Sequence, residues 1–123
     1  MEEYRGFQEW ADGVEPLLIQ QAYMESIGLL LGGEEWHLYV ANSFRIRDRD
    51  GYPVFSDSWW RVSQEGQESP LGALVGDSVV SITLPPAEGI ADLRVRTERG
   101  YCVEVFDMFG CDPWFFTVKR DVW

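Results

Sequence analysis

Positive charge is scarce in this chain: 10 Lys and Arg stand against 21 Asp and Glu in 123 residues, a formal net charge of −11. Phosphate backbones are held by concentrated cations, so this balance argues against nucleic acid as a ligand. It fits a basic partner, or it serves solubility alone. The scatter of the acids, among them Glu2, Glu3, Glu9, Asp12, Glu15, Glu34, Glu35, Glu65, Glu68 and Asp77, favours solubility. Histidine is nearly absent, and the lone His37 has no Ser or Cys setting that makes it the base of a nucleophile. Cysteine is limited to Cys102 and Cys111, too few to complete a four-ligand zinc site with one His. Two reduced thiols are the expected state, with a disulfide as the alternative. Apolar runs such as Leu29 to Leu31 are only a few residues long, far short of a membrane-spanning helix. The acidic start MEEYRGFQEW is unlike a signal peptide, so a cytoplasmic location is expected. No membrane association, metal or cofactor is expected.

Aromatic residues, by contrast, are plentiful: six Trp, seven Phe and five Tyr indicate one globular domain with a packed core. More informative is a repeat. Phe44 to Tyr52 read FRIRDRDGY, and Leu93 to Tyr101 read LRVRTERGY, with apolar, Arg, apolar, Arg, Gly and Tyr in matching places. Alternate side chains of a strand share a face, so Phe44 and Ile46 oppose Arg45 and Arg47, as Leu93 and Val95 oppose Arg94 and Arg96. In each copy a Gly falls where a three-residue hairpin loop requires a left-handed backbone: Arg49-Asp50-Gly51 and Glu98-Arg99-Gly100. Folding the second copy about Arg99 places Leu93 opposite Val105, Val95 opposite Val103 and Arg94 opposite Glu104. Folding the first about Asp50 places Ile46 opposite Val54 and Pro53 opposite Arg47, and the proline assigns that strand to a sheet edge.

Along the remaining chain, residues 1–15 read as an arm packed on the domain. The stretch Leu17 to Glu25 fits helical spacing and alternation in part, and Pro16 at a first turn favours a helix. Ile27 to Leu31 reads as a buried strand. Gly32-Gly33 reads as a two-residue turn, and Trp36 to Val40 as a second strand. Ser63 to Pro70 is a polar loop; Val79 to Leu84 and Trp114 to Lys119 are further strands. The expected class is α+β, predominantly antiparallel β. Two related β-hairpin units, about 26–62 and 72–118, form a curved sheet or two packed sheets, with at most one short helix near the N-terminus, in a single domain 1–123.

Candidate binding residues follow from parity and composition. Arg45, Arg47, Arg94 and Arg96 fall on one face, where they can clamp a carboxylate or phosphate or simply be balanced by acids such as Glu104. Trp59 and Trp60 are adjacent, so in a strand they point to opposite sides and one of them is a candidate interface anchor. Asp48-Arg49-Asp50-Gly51 has the start of a calcium loop but lacks its bidentate Glu, because residue 59 is Trp, and the turn explains it.

Several of these elements resemble a family of small uncharacterised bacterial β-rich proteins. The matching segments are Trp36-His37-Leu38-Tyr39-Val40, Phe44-Arg45-Ile46, the run from Leu71 to Ile82, Asp92-Leu93-Arg94-Val95, Gly100 to Asp107, and Trp114-Phe115-Phe116. Members of that family are suspected to be immunity proteins, which neutralise a toxin by covering it. The resemblance implies a non-enzymatic protein-binding role toward a basic toxin or nuclease, with no catalytic residues. The alternative is a binder of small anions through the four arginines.

Overall fold

In the computed structural model, the residues described are 8–25, 28–41, 43–56, 70–84, 93–106, 114–118 and 121–122. Residues 8–12 are helical, and Pro70–Leu74 form a 3-10 turn. The strands, in chain order, are β1 (Leu17–Leu18), β2 (Gln21–Glu25), β3 (Gly28–Gly32), β4 (Trp36–Val40), β5 (Phe44–Arg47), β6 (Pro53–Ser56), β7 (Ser78–Thr83), β8 (Leu93–Thr97), β9 (Cys102–Val105), β10 (Trp114–Val118) and β11 (Asp121–Val122). Every pairing among them is antiparallel. The first sheet runs β1-β7-β8-β9-β5-β6 and the second β11-β10-β4-β3-β2. The expected architecture of two antiparallel sheets with one short N-terminal helix therefore holds. No helix among the described residues is long and apolar enough to cross a membrane.

Strand parity explains how the sheets share a core. In the second sheet Leu31, Leu38 and Phe116 lie side by side, as do Leu29, Val40 and Trp114, and all six are buried. In the first, Leu93, Val105 and Phe44 form one row and Val95, Val103 and Ile46 the next, again all buried. These rows join one apolar cluster. Burial of this kind stabilises by about 1.5–3 kcal/mol per large side chain, which makes the alternation the main determinant of the fold.

The segment Leu17 to Glu25 is not the helix that Pro16 and the spacing suggest. It is two strands joined by a corner at which the chain passes from one sheet to the other. Ile19 donates from its backbone N to Asp77 O at 2.8 Å and accepts from Gly76 N at 2.8 Å, while Gln20 N donates to Gly32 O at 2.8 Å. Those bonds satisfy the backbone better than an isolated nine-residue helix, which is marginal in water. The short helix lies instead at residues 8–12. There the Gln8 amide accepts from Leu84 N at 2.7 Å and donates to Ile82 O at 3.2 Å, as a neighbouring strand would. Since β1 pairs only with Ser78 and Val79, this contact covers more of β7 and blunts the sheet edge.

Two further corrections concern registers. The β3–β4 turn closes through Gly33 N to Trp36 O at 2.9 Å, so its two loop residues are Glu34 and Glu35 and not Gly32-Gly33. In the first hairpin Arg47 does face Pro53, and β6 is an edge strand as expected. Ile46, however, faces Phe55 and not Val54, because the register shifts by a bulge between Ile46 and Arg47. The shift buries the larger Phe55, whose ring stacks on Phe44 at 6.0 Å.

The backbone hydrogen bonds that close the two turns correspond. Asp48 N donates to Tyr52 O and Gly51 N to Asp48 O, both at 2.9 Å; Thr97 N donates to Tyr101 O at 2.9 Å and Gly100 N to Thr97 O at 3.0 Å. Even the side chains correspond, since Asp48 Oδ1 accepts from Tyr52 N at 3.0 Å and Thr97 Oγ1 from Tyr101 N at 3.1 Å. Gly51 and Gly100 have φ of 87° and 99°, the left-handed region that costs other residues about 1–2 kcal/mol. Their surroundings differ. A Cβ on Gly51 meets nothing, whereas one on Gly100 runs into the Cβ of Arg49 at 2.6 Å, because the two turns pack together at one end of the sheet. Gly51→Ala is expected to cost about 1 kcal/mol in urea unfolding, and Gly100→Ala about 2–3 kcal/mol. Equal losses would contradict this packing.

Candidate functional site

The strand order brings the two arginine pairs together. Strand β9, the returning strand of the second hairpin, lies between β8 and β5, so Arg94 and Arg45 flank Glu104, and Arg96 and Arg47 flank Cys102. All six belong to the outward face of the first sheet, opposite the apolar rows. The pairing of Arg94 with Glu104 is the one expected from folding the second hairpin. The approach of the first copy from the other side, through β5, is not legible in either hairpin alone.

Glu104 is the hub of this face. Its Oε1 accepts from Arg45 Nε at 3.1 Å and Nη2 at 3.0 Å, and from Arg47 Nε at 2.7 Å. Its Oε2 lies 3.5 Å from Arg94 Nε, which is buried and has no well-aligned hydrogen bond. Arg47 is braced by a donation from Nη1 to Gly51 O at 3.0 Å, and the Arg45 guanidinium sits 5.4 Å from the centre of the Phe106 ring. Glu104 is only 7% exposed, yet the side chains of Arg45, Arg47 and Arg94 remain 34%, 37% and 35% exposed, so their outer N–H groups are open to a ligand. Arg96 is exposed and forms no ion pair with a described residue. Four guanidiniums and one carboxylate thus carry a formal +3 in a chain of net charge −11.

Burial pushes the Glu104 carboxyl up, but hydrogen bonds from Arg47 and Arg45, together with their charges, overcome it and hold the group below its ordinary value. Burial likewise pushes the Cys102 thiol up, against the pull of Arg96 beside it, and here burial wins. Cys102 is a free, buried thiol that stays protonated at neutral pH, and Cys111 lies outside the described residues.

Trp59 and Trp60 also fall outside the described residues. His37 is exposed on the outer face of the second sheet, facing Gly32 and Thr117. No group of three or more His, Cys, Asp or Glu is placed to hold a metal ion among the described residues. Not all the acids are surface charge. Besides Glu104, Asp77 is 2% exposed, and its Oδ1 accepts from Ser78 N at 2.8 Å and Arg99 N at 3.1 Å, tying the start of β7 to the second turn. Its place after Gly76, just before a β-branched strand, is the only sequence signal for that role.

Comparison with protein-family models, with curated proteins and with solved structures finds no match.

Replacing Glu104 by Gln leaves three guanidiniums without their shared anion. Glu104→Gln is expected to lose about 2 kcal/mol in urea unfolding at pH 7, the low end for a buried pair because the arginines are partly exposed. A carboxyl with a lowered folded pKa contributes stability above its unfolded value, near 4.5. That contribution is lost as pH falls from there through the folded pKa. Wild type and variant are therefore expected to converge in stability below pH 4.5; a constant gap at all pH values contradicts the assignment.

Proposed function

We propose that the protein is a non-enzymatic binding module whose contact surface is the four-arginine face, and that it takes an anion, a carboxylate or a phosphate, there. One observation carries this reading: three guanidiniums share a single buried carboxylate and the fourth, Arg96, has no ion-pair partner among the described residues. A planar fork with unused N–H groups matches two acceptor oxygens of a carboxylate or phosphate. The sheet holds the arginines in a fixed row, so little side-chain ordering remains to be done on binding.

A second reading is favoured by the rest of the surface. Apart from the arginine face the chain carries a formal −14, a field that steers a basic protein into contact. An inhibitor of the immunity type, covering a basic toxin or nuclease, uses that field and not the arginines.

Arg96→Ala separates the two, because it removes no ion pair with a described residue and leaves the network around Glu104 intact. Thermal unfolding with added citrate or inorganic phosphate is expected to show a saturable rise in Tm for wild type, reduced at least several-fold in effective affinity in the variant. An equal rise in both sinks the anion reading. Salt-sensitive binding of a basic nuclease, unchanged by Arg96→Ala and without any citrate or phosphate effect, supports the covering role in its place.

A further inference from the structure

The outward face of the first sheet carries two rows of side chains that cross β8, β9 and β5. Arg94, Glu104 and Arg45 stand side by side in the first row, and Arg96, Cys102 and Arg47 in the second. Each row sets a guanidinium on either side of a β9 residue. The middle positions differ, because the first row brings its own carboxylate while the second has a shorter thiol. Ser81 lies beyond Arg96 and Pro53 beyond Arg47, so none of the five strand positions in the second row is an acid.

The first row shows how this sheet holds an anion. Glu104 accepts from Arg45 Nε at 3.1 Å and Nη2 at 3.0 Å and lies 3.5 Å from Arg94 Nε. The equivalent place in the second row is above Cys102. Neighbouring strands are about 4.8 Å apart, which sets the α-carbons of Arg96 and Arg47 about 10 Å from each other, a span two guanidiniums can close around one small anion. Arg47 is oriented by its donations from Nε to Glu104 at 2.7 Å and from Nη1 to Gly51 O at 3.0 Å, and Nη2 is left over. Arg96 is exposed and makes no ion pair with a described residue. Cys102 beneath them is 7% exposed, and among the charges near its thiol that of Arg96 acts most strongly, which places the Arg96 head by the thiol.

We propose, on the reading of this face as an anion-binding surface, that the second row binds a carboxylate supplied from outside the chain, seated above Cys102 between Arg96 and Arg47. Its two coplanar oxygens match the Arg96 fork and leave a lone pair for Arg47 Nη2. A phosphate fits less well. Glu104 stands one row away, its α-carbon about 7 Å along β9 from that of Cys102, so a dianion meets about twice the repulsion that a carboxylate does. The carboxylate belongs to a free organic acid or to an acidic side chain of a partner protein.

The test follows the arginine Nε–H signals of protein labelled with nitrogen-15, assigned by single Arg→Lys substitutions, at constant ionic strength. Acetate is expected to shift the Arg96 and Arg47 signals saturably and those of Arg45 and Arg94 less, with methyl phosphate weaker by several-fold and acetamide inactive. Cys102→Glu supplies the missing carboxylate from the chain itself. That variant is expected to bind acetate at least tenfold more weakly, with its Arg96 signal already near the position of acetate-saturated wild type. A peptide with one glutamate among neutral residues that binds at least tenfold more tightly than acetate identifies a protein partner; a smaller difference identifies a free organic acid. No response of any of the four arginines to either anion overturns the anion reading and this seat together. Shifts at Arg45 and Arg94 without Arg96, methyl phosphate binding as tightly as acetate, or undiminished binding in folded Cys102→Glu overturns the seat alone, and the wild-type shifts decide the matter even if that variant fails to fold.

Discussion

Glu104 occupies the one place where the two halves of the repeat share a charge. Its strand lies between the first strand of each copy, and its carboxylate accepts hydrogen bonds from Arg45 and Arg47 on one side while facing Arg94 on the other. Without an anion there, four guanidiniums would flank β9 from both sides on one face, with no opposite charge between them. The carboxylate supplies cross-strand attraction and specifies that β5 joins β9, which apolar matching alone would leave less strongly determined. A slip of one residue would bury arginine in the core and expose Val103 and Val105, so polar and apolar faces enforce the same register.

The same arrangement gives the molecule a divided electrostatic character. One sheet face carries +3, and the rest of the chain −14. The arginines are held in place by paired strands, β5 and β8 on either side of β9.

Much of the first sheet is legible in the sequence because its determinant is local. Alternation of LRVRT with CVEV, and a glycine at the left-handed turn position, yield the β8–β9 register residue by residue. The first hairpin resists the same argument at one point, since Val54 and Phe55 are both acceptable neighbours for Ile46 and only packing against Phe44 selects the bulge. Leu17 to Glu25 resists it more fully. Its helical spacing is real, but bonds to Gly76, Asp77 and Gly32, distant in the chain, decide its conformation. The roles of Asp77 and Glu104 are hidden for a related reason, because an acid on a strand or in a loop looks the same whether it faces water or the backbone of another turn.

If Glu104 is the anion around which the two hairpins are matched, its own titration must show it. Carbon-13 NMR of the glutamate side-chain carboxyls, with Glu104 assigned by substitution, reports that proton directly in the folded protein. The account predicts that Glu104 titrates below the ordinary glutamate value. A Glu104 that titrates at or above the ordinary value would mean that burial dominates, and that the arginines around it do not hold it as their shared counter-ion.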